Sequence, residues 1–105
     1  MNKSIKNNQD QLNVMRKIGA NSNLTQRDLA EELGFSLGKL NYCLRELKNK
    51  GFIKMNNFRK SKQKIKYIYV LTPGGISAKT KLTINFMKRK MKEYDELKKE
   101  LDERN

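Results

Sequence analysis

The stretch LTQRDLAEELGFSLGKLNYCLREL, residues 24–47, contains the start signals of two helices in close succession and the stop signal of the first. Thr25 is a preferred N-cap residue, and Asp28 follows it at the spacing of a capping box. A helix is therefore predicted from Gln26 to about Leu33. Gly34 comes next and tolerates the left-handed backbone that turns a chain out of a helix.

A second helix is predicted only two residues later. Ser36 is a good N-cap residue, and leucines then recur at helical spacings of three and four residues, which predicts a helix from residue 37 to about Lys50, ended by Gly51. This apolar stripe consists of Leu37, Leu40, Leu44 and Leu47. Cys43 lies at its edge and is interpreted as a packed side chain rather than a redox sensor. Two short helices joined by a glycine-containing turn indicate a helix-turn-helix.

The residues before this motif predict one more helix. Apolar residues recur at helical spacing from about Asp10 to Ile18, and Gly19 is expected to end that helix. The polar residues 1–9 are expected to form a flexible N-terminal arm.

The residues after the motif predict a β-hairpin and a long helix. A short apolar strand around residues 52–55 and a β-branched and aromatic run at 65–71 enclose a polar tip from Asn56 to Lys64. Thr72 as N-cap and Pro73 at the first helical position then start a helix of about 30 residues. The predicted fold is α+β and mostly α. It consists of a winged helix-turn-helix at residues 10–73 and a long C-terminal helix at 74–105.

Several segments of the chain are similar to one family. They are residues 24–30 (LTQRDLA), 36–44 (SLGKLNYCL), 50–54 (KGFIK), 57–59 (NFR) and 71–76 (LTPGGI). Through them the chain resembles the small MarR-like winged-helix regulators associated with exopolysaccharide genes. The resemblance implies a transcriptional regulator of surface polysaccharide genes. The chain is shorter than larger MarR proteins, which leaves little room for their ligand pocket, so a small-molecule effector is not expected.

The polar face of the second motif helix carries side chains that suit a DNA major groove. Arg and Lys can bind guanine, Asn can bind adenine, and a glycine permits close approach to phosphate. A solvated polar face is the plain alternative, but the position of this helix in the motif favours DNA. The expected contacts there are Ser36, Gly38, Lys39, Asn41, Tyr42, Arg45, Lys48 and Asn49. Gln26 and Arg27, at the start of the preceding helix, are expected to contact phosphate.

The hairpin is strongly basic. From Arg45 to Lys66 there are nine basic residues and one acidic residue, a local net charge of 9 − 1 = +8. Such crowding costs repulsion that phosphate binding would relieve. The hairpin residues expected to bind DNA are Arg59, Lys60, Lys62 and Lys64. Phe58 either packs on the hairpin base or inserts between bases.

The last helix carries an apolar seam at alternating spacings of three and four residues, which is typical of a coiled coil. The seam and its neighbour comprise Ile84, Met87, Met91, Tyr94, Leu97 and Leu101, with Lys98 as an interruption. The winged helix-turn-helix at residues 10–73, called the head below, is too small to cover this seam. A homodimer is therefore expected. Charged residues are all basic from Lys79 to Lys92, whereas residues 93–103 hold six acids and two lysines. The relative direction of the two helices stays open.

Composition limits the other functions. The chain of 105 residues has 24 Lys and Arg against 11 Asp and Glu, so its formal net charge is +13. Nucleic acid is the first partner to expect, and an anionic membrane surface the second. The longest apolar run, residues 67–71, is far shorter than the roughly 18 residues of a membrane span, and a cytoplasmic location is expected.

Catalysis is not expected from this composition. The chain has no histidine and one cysteine, so it lacks the usual metal ligands and the usual general base. No enzyme activity, metal or cofactor is predicted. The leading hypothesis is a homodimer that binds double-stranded DNA. The alternatives are a protein-interaction scaffold whose long helix binds another protein, and an RNA-binding module.

Overall fold

A computed structural model describes the backbone of residues 2–21, 23–61 and 64–104, and the side chains of residues 6–21, 23–57 and 67–104. The elements are α1 (Asn2–Ala20), α2 (Gln26–Leu33), α3 (Leu37–Asn49), β1 (Ile53–Ser61), β2 (Lys64–Leu71) and α4 (Pro73–Arg104). Three helices followed by a two-stranded antiparallel wing and a long helix form a winged helix-turn-helix. The predicted fold class is confirmed.

The first helix is longer than the sequence pattern predicted. It begins at Asn2 rather than Asp10, so the expectation of a flexible arm is wrong for residues 2–9. That segment contains no glycine or proline, so no breaker stops the helix from extending N-terminally from its packed part. Gly19 does not end the helix either. A Cβ atom at Gly19 would lie 3.1 Å from the Lys79 Nζ and 3.2 Å from the Leu71 Cδ1, so this glycine lets neighbouring elements pack closely.

The helix-turn-helix has the predicted boundaries. The Thr25 hydroxyl accepts a hydrogen bond from the Asp28 amide at 3.3 Å, and the Asp28 carboxylate accepts one from the Thr25 amide at 3.1 Å. This is the reciprocal capping box. Gly34 has φ = 68° and turns the chain. The Ser36 hydroxyl then caps α3 by accepting from the Lys39 amide at 3.1 Å.

The core lies where α1, α2 and α3 meet the start of the wing. Its most deeply buried members are Val14, Met15, Leu29, Leu40, Cys43 and Leu47. The packed position predicted for Cys43 is confirmed, and burial raises the pKa of its thiol. Leu37 was expected in the core but is 53% exposed. As the first residue of α3 it lines an open surface cleft beside α2 instead.

The wing is more regular than predicted. β1 and β2 pair from Ile53 opposite Leu71 to Ser61 opposite Lys64, with an irregularity between Arg59 and Ser61. The strands therefore occupy most of the stretch expected to be a loop. The reason lies in the sequence of that stretch, which has no glycine or proline to interrupt the ladder.

The last helix begins as predicted and packs tightly on the wing. The Thr72 hydroxyl accepts from the Gly75 amide at 3.0 Å and donates to the Gly51 carbonyl at 2.5 Å. A Cβ atom at Gly75 would lie 1.9 Å from the Phe52 carbonyl oxygen, so only glycine fits there. The 32 residues of α4 extend about 48 Å, and the molecule measures 68 × 25 × 23 Å.

Two further features concern membranes and metals. In the described part of the chain, no helix is long and apolar enough to cross a bilayer. Among the same residues, no group of three His, Cys, Asp or Glu side chains is placed to hold a metal ion.

Candidate nucleic-acid interface

The exposed face of α3 lies opposite the core. Leu40, Cys43, Leu44 and Leu47 point inward and are at most 5% exposed. Because successive helical residues differ by about 100°, the remaining positions form a polar outer face. Its exposed members are Gly38, Asn41, Tyr42, Arg45, Lys48 and Asn49, and the capping residue Ser36 is exposed next to them. Seven of the eight residues predicted as contacts on this helix and its cap thus share one accessible surface.

Asn41 on this face is held by a residue of α2. The Gln26 Nε2 donates a hydrogen bond to the Asn41 Oδ1, which joins the first turn of α2 to the outer face of α3. With its oxygen engaged, the Asn41 amide keeps its Nδ2 donors for an external acceptor. The two residues are 15 positions apart in sequence, so periodicity within a single helix gave no sign of this pair.

Lys39 is the predicted contact that the structure places differently from the rest. Its ammonium lies 3.4 Å from the Asp10 carboxylate and 4.2 Å from the centroid of the Phe35 ring. The side chain is partly buried at the edge of the polar face. Lys39 therefore connects α1 to the turn and α3. Sequence analysis assigned no role to Asp10 or Phe35.

The other cations near this face take part in none of the ion pairs found among the described side chains. The ion pairs among the described side chains are Lys17–Glu32, Lys39–Asp10 and Lys90–Glu93. None of them engages Arg27, Arg45 or Lys48, which are exposed. Glu46, an acid beside the face, accepts from the Tyr42 hydroxyl, and this hydrogen bond is the main reason why the pKa of Tyr42 is raised. The face therefore keeps a positive surface.

The wing follows the C-terminal end of α3. The side chains of Lys54, Asn56 and Asn57 on β1 are exposed. The backbone of Arg59, Lys60 and Lys64 is in the strands, whereas their side chains, and all of Lys62, lie outside the described residues. The prediction that these four residues bind DNA stays a prediction.

The seam of α4 forms a separate surface. Its exposed fractions are 47% for Ile84, 56% for Met87, 64% for Met91, 65% for Tyr94, 64% for Leu97 and 63% for Leu101. The helix packs on the head through its opposite side, where Lys79, Leu82, Phe86 and Arg89 are partly buried. All six residues predicted for dimerisation are therefore accessible along one side of the molecule.

Sequence comparison agrees with this geometry. Residues 11–54 match the family described as winged helix-turn-helix DNA-binding. That segment includes α2, α3 and the start of β1. No curated protein sequence is significantly similar to the chain.

Solved structures extend the likeness beyond the matched segment. MepR of S. aureus, solved with DNA, aligns with a TM-score of 0.66 at 21% identity and covers 90% of this chain and 74% of MepR. MarR of Staphylococcus aureus, solved with salicylate and kanamycin, aligns with a TM-score of 0.65 at 16% identity. This chain has the fold of a MarR-type winged-helix regulator. FabT of Streptococcus pneumoniae, solved with DNA, aligns with a TM-score of 0.61 at 21% identity.

The aligned region is a part of those longer proteins. The alignments with MarR and FabT each cover 83% of this chain, but only 57% of MarR and 59% of FabT. This chain therefore spans little more than half the length of those two relatives.

Proposed function

We propose that the chain is a transcriptional regulator that binds double-stranded DNA sequence-specifically as a homodimer. The observation that carries this proposal is the outer face of α3, where Asn41, Arg45, Lys48 and Asn49 are exposed together on the second helix of a winged helix-turn-helix. In such motifs this helix enters the major groove. That FabT and MepR were solved with DNA supports the same use of the fold here.

Within the groove, the residues of α3 have different tasks. Arg45 is the candidate for guanine, because its guanidinium can donate to both O6 and N7. Asn41 presents its Nδ2 donors, since the Gln26 amide engages its oxygen. Lys39 acts mainly as a connection between α1 and α3, because Asp10 and Phe35 already bind its ammonium.

The surroundings of α3 contribute affinity rather than sequence reading. Arg27 at the start of α2 and the lysines of the wing are the residues that we expect to contact phosphate. The net charge of +13 favours any polyanion, so these contacts account for non-specific binding. Recognition of sequence then depends on α3.

Dimerisation is assigned to the seam of α4. An apolar row that is 47–65% exposed is unfavourable for an isolated chain. A second copy of the same helix covers it with a surface of the same character. Two linked heads then bind two half-sites with an affinity that neither reaches alone.

The protein performs no chemistry in this account, and its effect is on transcription. Surface polysaccharide genes are the regulated set that the sequence resemblance suggests. Footprinting on DNA upstream of such genes tests this part separately. Protection of a site there supports it, and protection only elsewhere contradicts it.

The test of DNA reading is selection of binding sites from a random duplex library. The proposal predicts enrichment of an inverted repeat, with affinity that falls steeply with salt. If 6–10 phosphates are neutralised, the logarithm of the binding constant should fall with a slope of about −5 to −9 against the logarithm of salt concentration. Retention without sequence enrichment contradicts specific reading. Preference for RNA supports an RNA-binding module, and failure to retain nucleic acid supports a protein scaffold.

A further inference from the structure

The two sides of α4 have separate roles. Gly75, Lys79, Leu82, Phe86 and Arg89 follow one another at spacings of four, three, four and three residues, and all are buried or partly buried against the head. If the seam defines positions a and d of a heptad, these residues occupy c and f on the opposite side. The head therefore leaves the seam open along its length, and another helix can lie on it without displacing any contact.

The spacing of the seam lets a second copy lie on it in the reverse direction. Its a and d positions are 84, 87, 91, 94, 98 and 101, and they are symmetric about the point between residues 92 and 93. Reversing the helix about that point places Ile84 against Leu101, Met87 against Lys98 and Met91 against Tyr94. We propose that two copies of α4 pair antiparallel about this point, an inference that rests on the proposed dimerisation.

The charges beside the seam favour the antiparallel direction. In this arrangement the e positions of the two helices face each other, which places Lys88 near Asp95 and Lys81 near Asp102 of the other copy. All four side chains are exposed, and none takes part in an ion pair among the described residues. On a larger scale, the basic segment 79–92 lies along the acidic segment 93–103. Opposite charges are therefore adjacent over most of the contact.

The parallel direction lacks these advantages. Parallel pairing sets the basic segment of one chain beside the basic segment of the other. It also places the two Lys98 side chains against each other within the seam. Two ammonium groups at a buried layer repel each other and lose hydration. In the antiparallel arrangement the methylene stem of Lys98 covers Met87 while its ammonium reaches solvent. The interruption of the seam by lysine thus costs less in the antiparallel direction.

Antiparallel pairing also determines where the heads lie. Pro73 starts α4 about 29 Å from the symmetry point, at 1.5 Å per residue. The two heads are then on opposite sides of the dyad, with the paired segments between them. Neither head covers the α3 face of the other.

Cysteine cross-linking distinguishes the two directions. Met87→Cys and Lys98→Cys are prepared singly, with a mass tag on one of them, and are oxidised alone and as a mixture. A disulfide needs Cα atoms within about 7 Å. Antiparallel pairing predicts a tagged-to-untagged disulfide dimer in the mixture and none in either variant alone. The native chain, whose buried Cys43 should not react, is the control.

Charge exchange gives a second measurement on the folded protein. Lys88→Asp should weaken dimerisation about tenfold at low salt, since it places two acids together at two symmetric positions. Adding Asp95→Lys should restore the dimer, and high salt should reduce both effects. Cross-links within either single variant, or no rescue by the exchange, overturn the antiparallel direction. Sedimentation of the native chain as a monomer at tens of micromolar overturns the proposed dimerisation itself.

Discussion

Helices α3 and α4 carry the same apolar repeat with opposite outcomes. In α3, Leu40, Leu44 and Leu47 are at most 5% exposed, because α1, α2 and β1 lie on them. In α4, Met91 and Tyr94 are 64% and 65% exposed, because the helix extends past the head. The spacing of apolar residues identifies the side of a helix that is buried against another surface. Whether the covering surface is in the same chain depends on the length and path of the helix.

The largest effect is expected from damage to the uncovered seam. Met91→Asp places an acid near the middle of the proposed dimer contact, where a buried charge is strongly unfavourable. We expect a monomer with an unchanged head, and a loss of about 10²- to 10⁴-fold in affinity for a two-half-site duplex. Sedimentation and DNA titration measure the two effects.

A matched control for that variant is Asn85→Asp. It adds the same negative charge to an exposed position of α4 that lies off the seam, so it should leave the dimer intact. An equal loss of dimer in both variants would attribute the effect to charge alone, and an unchanged Met91→Asp dimer would contradict the importance of the seam.

The junction between the two regions should respond next most strongly. Gly75→Ala forces a Cβ atom against the Phe52 carbonyl, and we expect the free energy of unfolding to fall by about 2–3 kcal/mol. Gly74→Ala is the control, because its Cβ would lie at an ordinary 3.6 Å from the Gly51 carbonyl oxygen. That variant should be neutral or up to about 1 kcal/mol more stable. Urea unfolding compares them, and equal stability would contradict close packing at Gly75.

The outer face of α3 should determine the sequence specificity of DNA binding. Arg45→Ala should weaken binding to the selected duplex by about 1–3 kcal/mol and change binding to a scrambled duplex much less. Lys54→Ala, on the exposed side of the wing, should weaken both to a similar extent, as phosphate contacts do. Titrations of the two duplexes at one salt concentration provide the comparison. Equal losses for Arg45→Ala on both duplexes would show that α3 does not read bases.

The smallest effect concerns the pair that joins α2 to this face. Gln26→Ala and Asn41→Ala should be non-additive on the selected duplex, with a coupling energy of about 0.5–1.5 kcal/mol, because Gln26 orients the Asn41 amide. A double-mutant cycle measures this energy. Arg27→Ala, one residue along α2, should combine additively with Asn41→Ala. Additive effects of Gln26→Ala and Asn41→Ala would show that Gln26 does not position the Asn41 amide.

Sequence reasoning succeeded where local signals decide the structure. Thr25, Asp28 and Ser36 cap the two motif helices through contacts only three residues away. Spacing alone therefore predicted the boundaries of α2 and α3. The exposed seam of α4 was predictable for the same reason, since its periodicity continues beyond the residues that a small head can cover.

Features that depend on distant parts of the chain were not predictable in this way. Gly75 fits against the Phe52 carbonyl, and Gly19 lies close to Lys79 and Leu71. In the sequence, both glycines resemble helix breakers. The ion pair of Lys39 with Asp10 was not predictable either, because nothing near Lys39 in the sequence shows that α1 reaches it. Each case is decided by a tertiary contact that no pattern within one helix contains.

The central claim is that two chains act together on one duplex. Sedimentation equilibrium of the native protein with a selected inverted-repeat duplex, and with the same duplex cut to one half-site, tests it most directly. The account predicts two chains bound to the full duplex, with tight binding that the half-site duplex does not retain. One chain on the full duplex, or equal affinity for the full and half sites, would contradict it.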